Sequence, residues 1–226
     1  MVRIEEDQEN IPGYAARLYD KLARDAIDTY YTPIAKEIAE VLSYGKLLDV
    51  GTGPGYLPIE LVKLKPDLEI YAVDLTPELI EIARENVKIA RVNINFEVGS
   101  AYHLRFEDDS FDMVISTGVI HDLANPVKAL DEWYRVLKPG REAWVYDPTL
   151  IVPRKKIRFW YERLDGEELV LFKEYAKRIP PIIYTTEELK KILNKTKFKE
   201  YEIKEYEMGG ERELKIKLKK VPLQKV

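Results

Sequence analysis

The stretch Leu47–Leu61, LLDVGTGPGYLPIEL, constrains this chain more than any other. A short apolar run carries one acid, Asp49. Three glycines then alternate with small residues, and an apolar helical pattern follows. A run of this length, apolar on both faces, suits a strand buried in the middle of a sheet. Glycine supplies the left-handed backbone that a sharp strand-to-helix turn needs. Pro58 falls in the first helical turn, where a missing N–H costs little. Strand, glycine turn and helix start together bring a sheet edge up to a nucleotide.

The same unit recurs along the chain. EIYAVDL (69–75) reads as a strand ending in an acid, and Thr76-Pro77 as a helix start with Thr76 as cap. INFEVGS (94–100), FDMVIST (111–117) and EAWVYD (142–147) read as further strands. Asn125-Pro126 opens a helix carrying Val127, Leu130, Trp133, Tyr134 and Leu137, closed by Pro139-Gly140. Residues 14–43 read as one helical stretch with two apolar stripes, the second following Pro33, and Gly45 stops it. Thr185 and Glu188 form a capping box. The chain ends in two alternating runs around Gly209-Gly210, which read as a hairpin. Strands alternating with helices predict an α/β domain with helices on both faces of a mostly parallel sheet. Four regions are expected within one domain: a helical cap (1–44), a ligand-binding core (45–147), an aromatic and basic cover insertion (148–182), and a terminal helix with hairpin (183–226).

Gly51, Gly53 and Gly55 are spaced G-x-G-x-G. The dinucleotide turn is spaced G-x-G-x-x-G, and Tyr56 occupies its third position, where a bulky side chain crowds the helix–strand contact. No G-K-[ST] follows, which excludes a Walker-type loop. Asp49 sits two residues before Gly51, where it would repel a pyrophosphate and favour a ligand carrying cations. S-adenosylmethionine is such a ligand: an ammonium, a sulfonium and no phosphate. Asp74, roughly 20 residues past the turn, can accept from both ribose hydroxyls, a role shared with nicotinamide enzymes.

With LLDVGTGPGYLPIEL, YAVDLTPELIEIARENV, FEVGSAYHLRFEDDSFDMVISTGVIHDL and NPVKALDEWYRVLKPG in this order, the chain resembles the class I S-adenosylmethionine-dependent methyltransferases, of the small-molecule type related to quinone-biosynthesis enzymes. The resemblance implies a Rossmann-like, doubly wound, seven-stranded sheet with an antiparallel terminal hairpin. It also implies S-adenosyl-L-methionine as cofactor and methyl transfer to a small organic acceptor by in-line displacement. Residue by residue, it implies that Gly51, Thr52, Gly53 and Gly55 carry backbone past the methionine half, which Asp49 helps place. Asp74 would hold the ribose and Leu75 pack on the adenine. Ser100 and Ala101 would sit at the adenine edge, and Thr117 and Gly118 near the methyl group. Ser100 departs from the acid that many relatives have there. Arg141 departs from a second glycine after Gly140. Tyr19, on the first helix, is the lid candidate. His121, after the fourth strand, is the candidate catalytic residue, as a pocket group or general base. Phe159, Trp160 and Tyr161 are candidates for the acceptor cover.

Composition narrows the chemistry further. The chain has no cysteine and two histidines, so thiolate sites, cysteine nucleophiles and a histidine metal centre are not expected. The formal charge is −4, which gives no general basic field for nucleic acid. Of two basic runs, 154–163 and Lys215–Lys220, the second reads as a charged edge strand. No apolar run reaches membrane-spanning length and the N-terminal residues resemble no signal peptide, so a cytoplasmic protein is expected. Scarce glutamine with abundant Lys and Glu fits a heat-adapted source. A small-molecule acceptor is the expected partner, with a homodimer left open. The competing readings are an RNA or protein methyltransferase, a cofactor-binding module without turnover, and a nicotinamide-dependent oxidoreductase.

Overall fold

Leu47, Leu48, Asp49 and Val50 are all buried in β1 (Gly45–Val50), which must therefore be covered on both faces and flanked on both edges. A computed structural model describes residues 9–148, 164–177, 184–208 and 211–222. In it β1 pairs in parallel with β2 (Leu68–Asp74) on one side and β4 (Phe111–Thr117) on the other. β3 (Asn95–Val98) extends the sheet beyond β2, and β5 (Leu137–Pro148) extends it beyond β4, both in parallel. β7 (Glu211–Lys219) then lies between β5 and β6 (Glu200–Met208), antiparallel to both. The seven-stranded order is β3-β2-β1-β4-β5-β7-β6, the α/β architecture expected.

Alternation along β1 divides the core in two. Leu48 and Val50 pack with Leu130 and Trp133 of α5 (Pro126–Val136) and Leu189 and Leu193 of α7 (Thr186–Leu193). Leu47 faces the other way, onto Ile34 and Ile38 of α2 (Thr32–Val41) and Leu57 and Leu61 of α3 (Tyr56–Leu64). Each such side chain contributes about 1.5–3 kcal/mol by leaving water. α4 (Pro77–Ala90) connects β2 to β3, and α6 (Gly166–Ala176) lies near the N-terminal turn. Among the described residues no helix is long and apolar enough to cross a membrane.

Several local expectations change. The helix expected over 14–43 is broken. A 3-10 turn (Gly13–Ala15) leads into α1 (Ala16–Asp25), and a π turn (Ile27–Tyr31) separates α1 from α2. Tyr30 and Tyr31 both donate to the Ala26 carbonyl, and Pro33, lacking an N–H, falls in the first turn of α2. Leu137 belongs to β5, not to the preceding helix. Pro139 and Gly140 are absorbed into an irregularity of that strand's register, where Gly140 has φ +79°. Arg141 there pairs with Asp112 at 3.1 Å. Thr76 is at the cap position, but its hydroxyl donates to the Ile11 carbonyl at 3.2 Å and does not cap α4. The capping box at Thr185 and Glu188 is present. Lys215–Lys220 is no charged edge: β7 is interior, Lys215 is paired with Glu37 over the Trp144 ring, and Lys220 is paired with Asp109. The aromatic run 159–161, the basic run 154–163 and Gly209-Gly210 lie outside the described residues.

Candidate functional site

Strand order reverses between β1 and β4, and a cleft opens at the carboxyl ends of the strands there, as doubly wound sheets dictate. It encloses about 680 Å³, mouth included, the size of a nucleoside-type ligand site. The glycine turn forms one wall. Gly51 has φ +75°, and a Cβ there would stand 2.3 Å from Val119 Cγ2, so the turn tolerates no side chain. The Gly51 and Thr52 N–H groups donate to the Val73 carbonyl at 2.8 and 3.0 Å, fastening the turn to β2.

Asp74 ends β2 with both carboxylate oxygens fixed. Oδ2 accepts from the Gly53 N–H at 2.8 Å and Oδ1 from the Thr76 N–H at 2.9 Å. A carboxylate oxygen has capacity for more than one donor, so Asp74 keeps accepting capacity at the cleft. Burial raises its pKa, and the N–H groups of Thr76 and Gly53 oppose that rise. Leu75, Ser100, Ala101, Thr117, Gly118 and Tyr19 line the same cleft with Gly51, Gly53 and Asp74. Tyr19 reaches over the turn: its ring carbon Cε1 would stand 3.4 Å from a Cβ on Gly53. Burial, then the Asp74 and Asp122 carboxylates, raise its pKa, so the phenol keeps its proton.

Four expected residues lie off the lining. Gly55 packs α3 on its neighbours, where a Cβ would meet Ala83 Cβ and Phe96 Cζ, each at 3.1 Å. Thr52 and Asp49 lie beneath the turn. Among the described residues no well-formed hydrogen bond reaches either Asp49 carboxylate oxygen, although the Thr52 hydroxyl beside it partly offsets the rise in its pKa. Burial pushes the Asp49 carboxyl up to about 7. His121 sits behind the cleft in a short 3-10 turn (Ile120–Asp122). Its Nδ1–H and backbone N–H both donate to the buried Asp147, at 2.6 and 3.1 Å, and its Nε2 lies 3.5 Å from Asp122 Oδ1. Burial lowers its pKa, but the carboxylates of Asp147 and Asp122 outweigh burial and raise it to about 9. The two carboxylates thus favour the protonated imidazole at neutral pH.

Reading the sequence missed Glu9, Asn10, Ile11 and Leu123 in the lining, and Asp147 as the partner of His121. Asp147 had a signal: like Asp74, it is an acid at the carboxyl end of a strand. Glu9 had none.

A family model described as a methyltransferase domain matches residues 48–145. The ubiquinone/menaquinone biosynthesis C-methyltransferase of Geobacter sp. (strain M21) is 32% identical over 158 residues, which span 66% of this chain and 67% of that protein. The chain belongs to the S-adenosylmethionine-dependent methyltransferases. A demethylmenaquinone methyltransferase of Deinococcus radiodurans is 36% identical to it over 104 residues, 45% of this methyltransferase and 43% of the relative. The match thus spans two thirds of the Geobacter relative's length and less than half of the Deinococcus relative's. A Methanococcus maripaludis structure, provisionally described as an S-adenosyl-L-methionine-dependent methyltransferase, shares the fold at a TM-score of 0.72 and 24% identity, covering 100% of both chains.

The cleft of this methyltransferase fits that cofactor. Asp49 is a buried carboxyl whose pKa burial and Asp74 both raise, so a cation over the turn would favour its ionised form. The described lining contains no Lys or Arg to neutralise a pyrophosphate.

Proposed function

We propose that this methyltransferase moves the methyl group of S-adenosylmethionine to a small organic acceptor by in-line displacement at the sulfonium carbon. The observation that carries the proposal is Asp74, whose carboxylate is braced by Gly53 and Thr76 at the mouth of a glycine turn lying over the buried Asp49.

Bound in the cleft, the cofactor supplies an already activated methyl carbon. The protein's task is alignment and exclusion of water. Asp74 holds the ribose hydroxyls. Asp49 supplies negative charge toward the methionine ammonium through the turn of Gly51, Thr52 and Gly53, and Gly55 keeps the turn close to α4. Leu75, Ser100 and Ala101 flank the adenine. Thr117 and Gly118, at the end of β4, form the floor beside the methyl group, and Tyr19 covers it. His121, held by Asp147, presents a fixed positive charge behind this floor, positioning acceptor-side groups without taking a proton. The names of the Geobacter and Deinococcus relatives favour a quinone-type acceptor. The Lys- and Glu-rich composition with scarce glutamine supports a heat-adapted source.

Calorimetric titration with S-adenosylmethionine, S-adenosylhomocysteine and NADH tests the reading. The adenosyl ligands are expected to bind in the micromolar range and NADH not to bind. Asp74→Ala is expected to weaken adenosyl binding by more than about tenfold with an unchanged circular dichroism spectrum. NADH binding alone, or an unchanged Kd in Asp74→Ala, would overturn it.

A further inference from the structure

Residues 9–11 cross the cleft as a strap fastened at three places. Glu9 Oε1 accepts from the Tyr102 hydroxyl at 2.5 Å and from the Ala124 N–H at 2.6 Å. The Ile11 carbonyl accepts from the Thr76 hydroxyl at 3.2 Å. These partners follow β3, β4 and β2 respectively, so the strap ties together the three loops around one end of the cleft. Tyr102 is held in turn by the Asn125 N–H, which donates to its hydroxyl at 3.1 Å.

Three carboxylates line the described cleft: Glu9, Asp74 and Asp122. Asp74 is braced at the glycine turn, and Asp122 lies beside the His121 imidazolium. Glu9 alone stands at the end walled by Ser100, Ala101 and Leu123. The Ser100 hydroxyl there accepts from the Tyr102 N–H at 3.2 Å, and being neutral it is a weaker acceptor than a carboxylate. Both hydrogen bonds to Glu9 fall on Oε1. Oε2 takes none among the described residues, so it remains an acceptor at the rim of the cleft.

We propose that Glu9 Oε2 accepts from the exocyclic amine of the adenine, so that recognition of the base comes from the N-terminal strap and not from the loop after β3. The proposal rests on the adenosyl-ligand reading of the cleft. With the ribose on Asp74, the base points along the wall of Leu75, Ser100 and Ala101 toward the strap. A carboxylate there rewards an amine and repels a carbonyl oxygen, which gives the site a preference for adenine over hypoxanthine.

The test uses the full chain and two probes, S-adenosylhomocysteine and S-inosylhomocysteine, in which a carbonyl oxygen replaces the amine. Wild type is expected to bind the adenosyl probe at least about tenfold more tightly. In Glu9→Gln the amide oxygen can keep both strap bonds while its NH2 faces the base, so the preference is expected to shrink at least about fivefold. Tyr102→Phe removes one strap bond and keeps the carboxylate. It is expected to weaken both probes equally. An unchanged preference in Glu9→Gln, or the same loss of preference in Tyr102→Phe, would overturn the role of Glu9 and leave the cofactor reading standing. Failure of wild type to bind either probe would overturn both.

Discussion

The Tyr56 hydroxyl donates a 2.6 Å hydrogen bond to Asp20 Oδ1, joining the first residue of α3 to α1. Asp20 is 5% exposed. It also accepts from Arg24 at 2.9 Å and from the Asn86 amide at 3.3 Å, and Asn86 donates to the Pro54 carbonyl at 2.9 Å. One carboxylate thus connects α1, α3 and α4, and through Asn86 the glycine turn. The residue that departs from the dinucleotide pattern is the one that fastens the helix bearing Tyr19 over the cleft.

Tyr56→Phe should therefore do two things. Removing the bond to a buried charged acceptor, and with it the one accepted from Arg24 Nε at 2.9 Å, should cost about 1.5–3 kcal/mol or more, read as a lower midpoint in thermal unfolding. Loosening α1 should also weaken S-adenosylhomocysteine binding several-fold by calorimetry. Arg17→Ala, which removes the exposed pair with Glu85, should leave both unchanged. Equal effects of the two substitutions would remove the special role of the Asp20 network.

Asp49 should make ligand binding release a proton. Its folded pKa, about 7, lies above the ordinary carboxyl value of 3.8. Its contribution to ligand-free stability is therefore full below that ordinary value and is lost as pH rises toward 7. A ligand ammonium over the turn favours the ionised form, so affinity for S-adenosylhomocysteine, which carries one, should rise between pH 5 and 8. Calorimetry at pH 6 in two buffers of different ionisation enthalpy should show release approaching one proton. In Asp49→Asn the release should vanish and the ligand-free protein should gain stability at pH 8. Wild type releasing none would sink the assignment.

His121 has the opposite charge type, and the sign follows accordingly. Its pKa is raised from 6.5 to about 9, so the stabilisation by Asp147 and Asp122 is complete below 6.5 and is lost as pH climbs through about 9. The loss is on the order of 3 kcal/mol. Thermal midpoints measured from pH 6 to 9.5 should fall in wild type and flatten in Asp147→Asn. Only His121 and His103 contribute imidazole resonances, so NMR titration reads the pKa directly. A value at or below 6.5 for His121 would refute the coupling.

The legible parts of the sequence were those whose cause lies within a few residues. FDMVIST coincides with β4 because a strand buried on both faces must be apolar along its middle. Thr185 and Glu188 satisfy each other across one helical turn, so their box was visible as a pattern. The break after α1 was not visible, because the Tyr31 ring at the end of the π turn packs on Tyr56, which arrives from another helix. Thr76 holds the expected cap position, but without a side-chain cap bond for a related reason: the Ile11 carbonyl that takes its hydroxyl arrives from another part of the chain.

By itself, then, the sequence determined the alternation of strands and helices, the glycine turn, and the acids at Asp49 and Asp74 that face it. Backbone sterics and burial periodicity act over neighbouring residues and leave a local record. Only the tertiary structure decided that Glu9 reaches Tyr102 and Ala124, that His121 meets Asp147, and that Asp20 meets Tyr56. Those contacts close long loops of chain, and they form because the packed sheet and helices have already brought the loops around the cleft together.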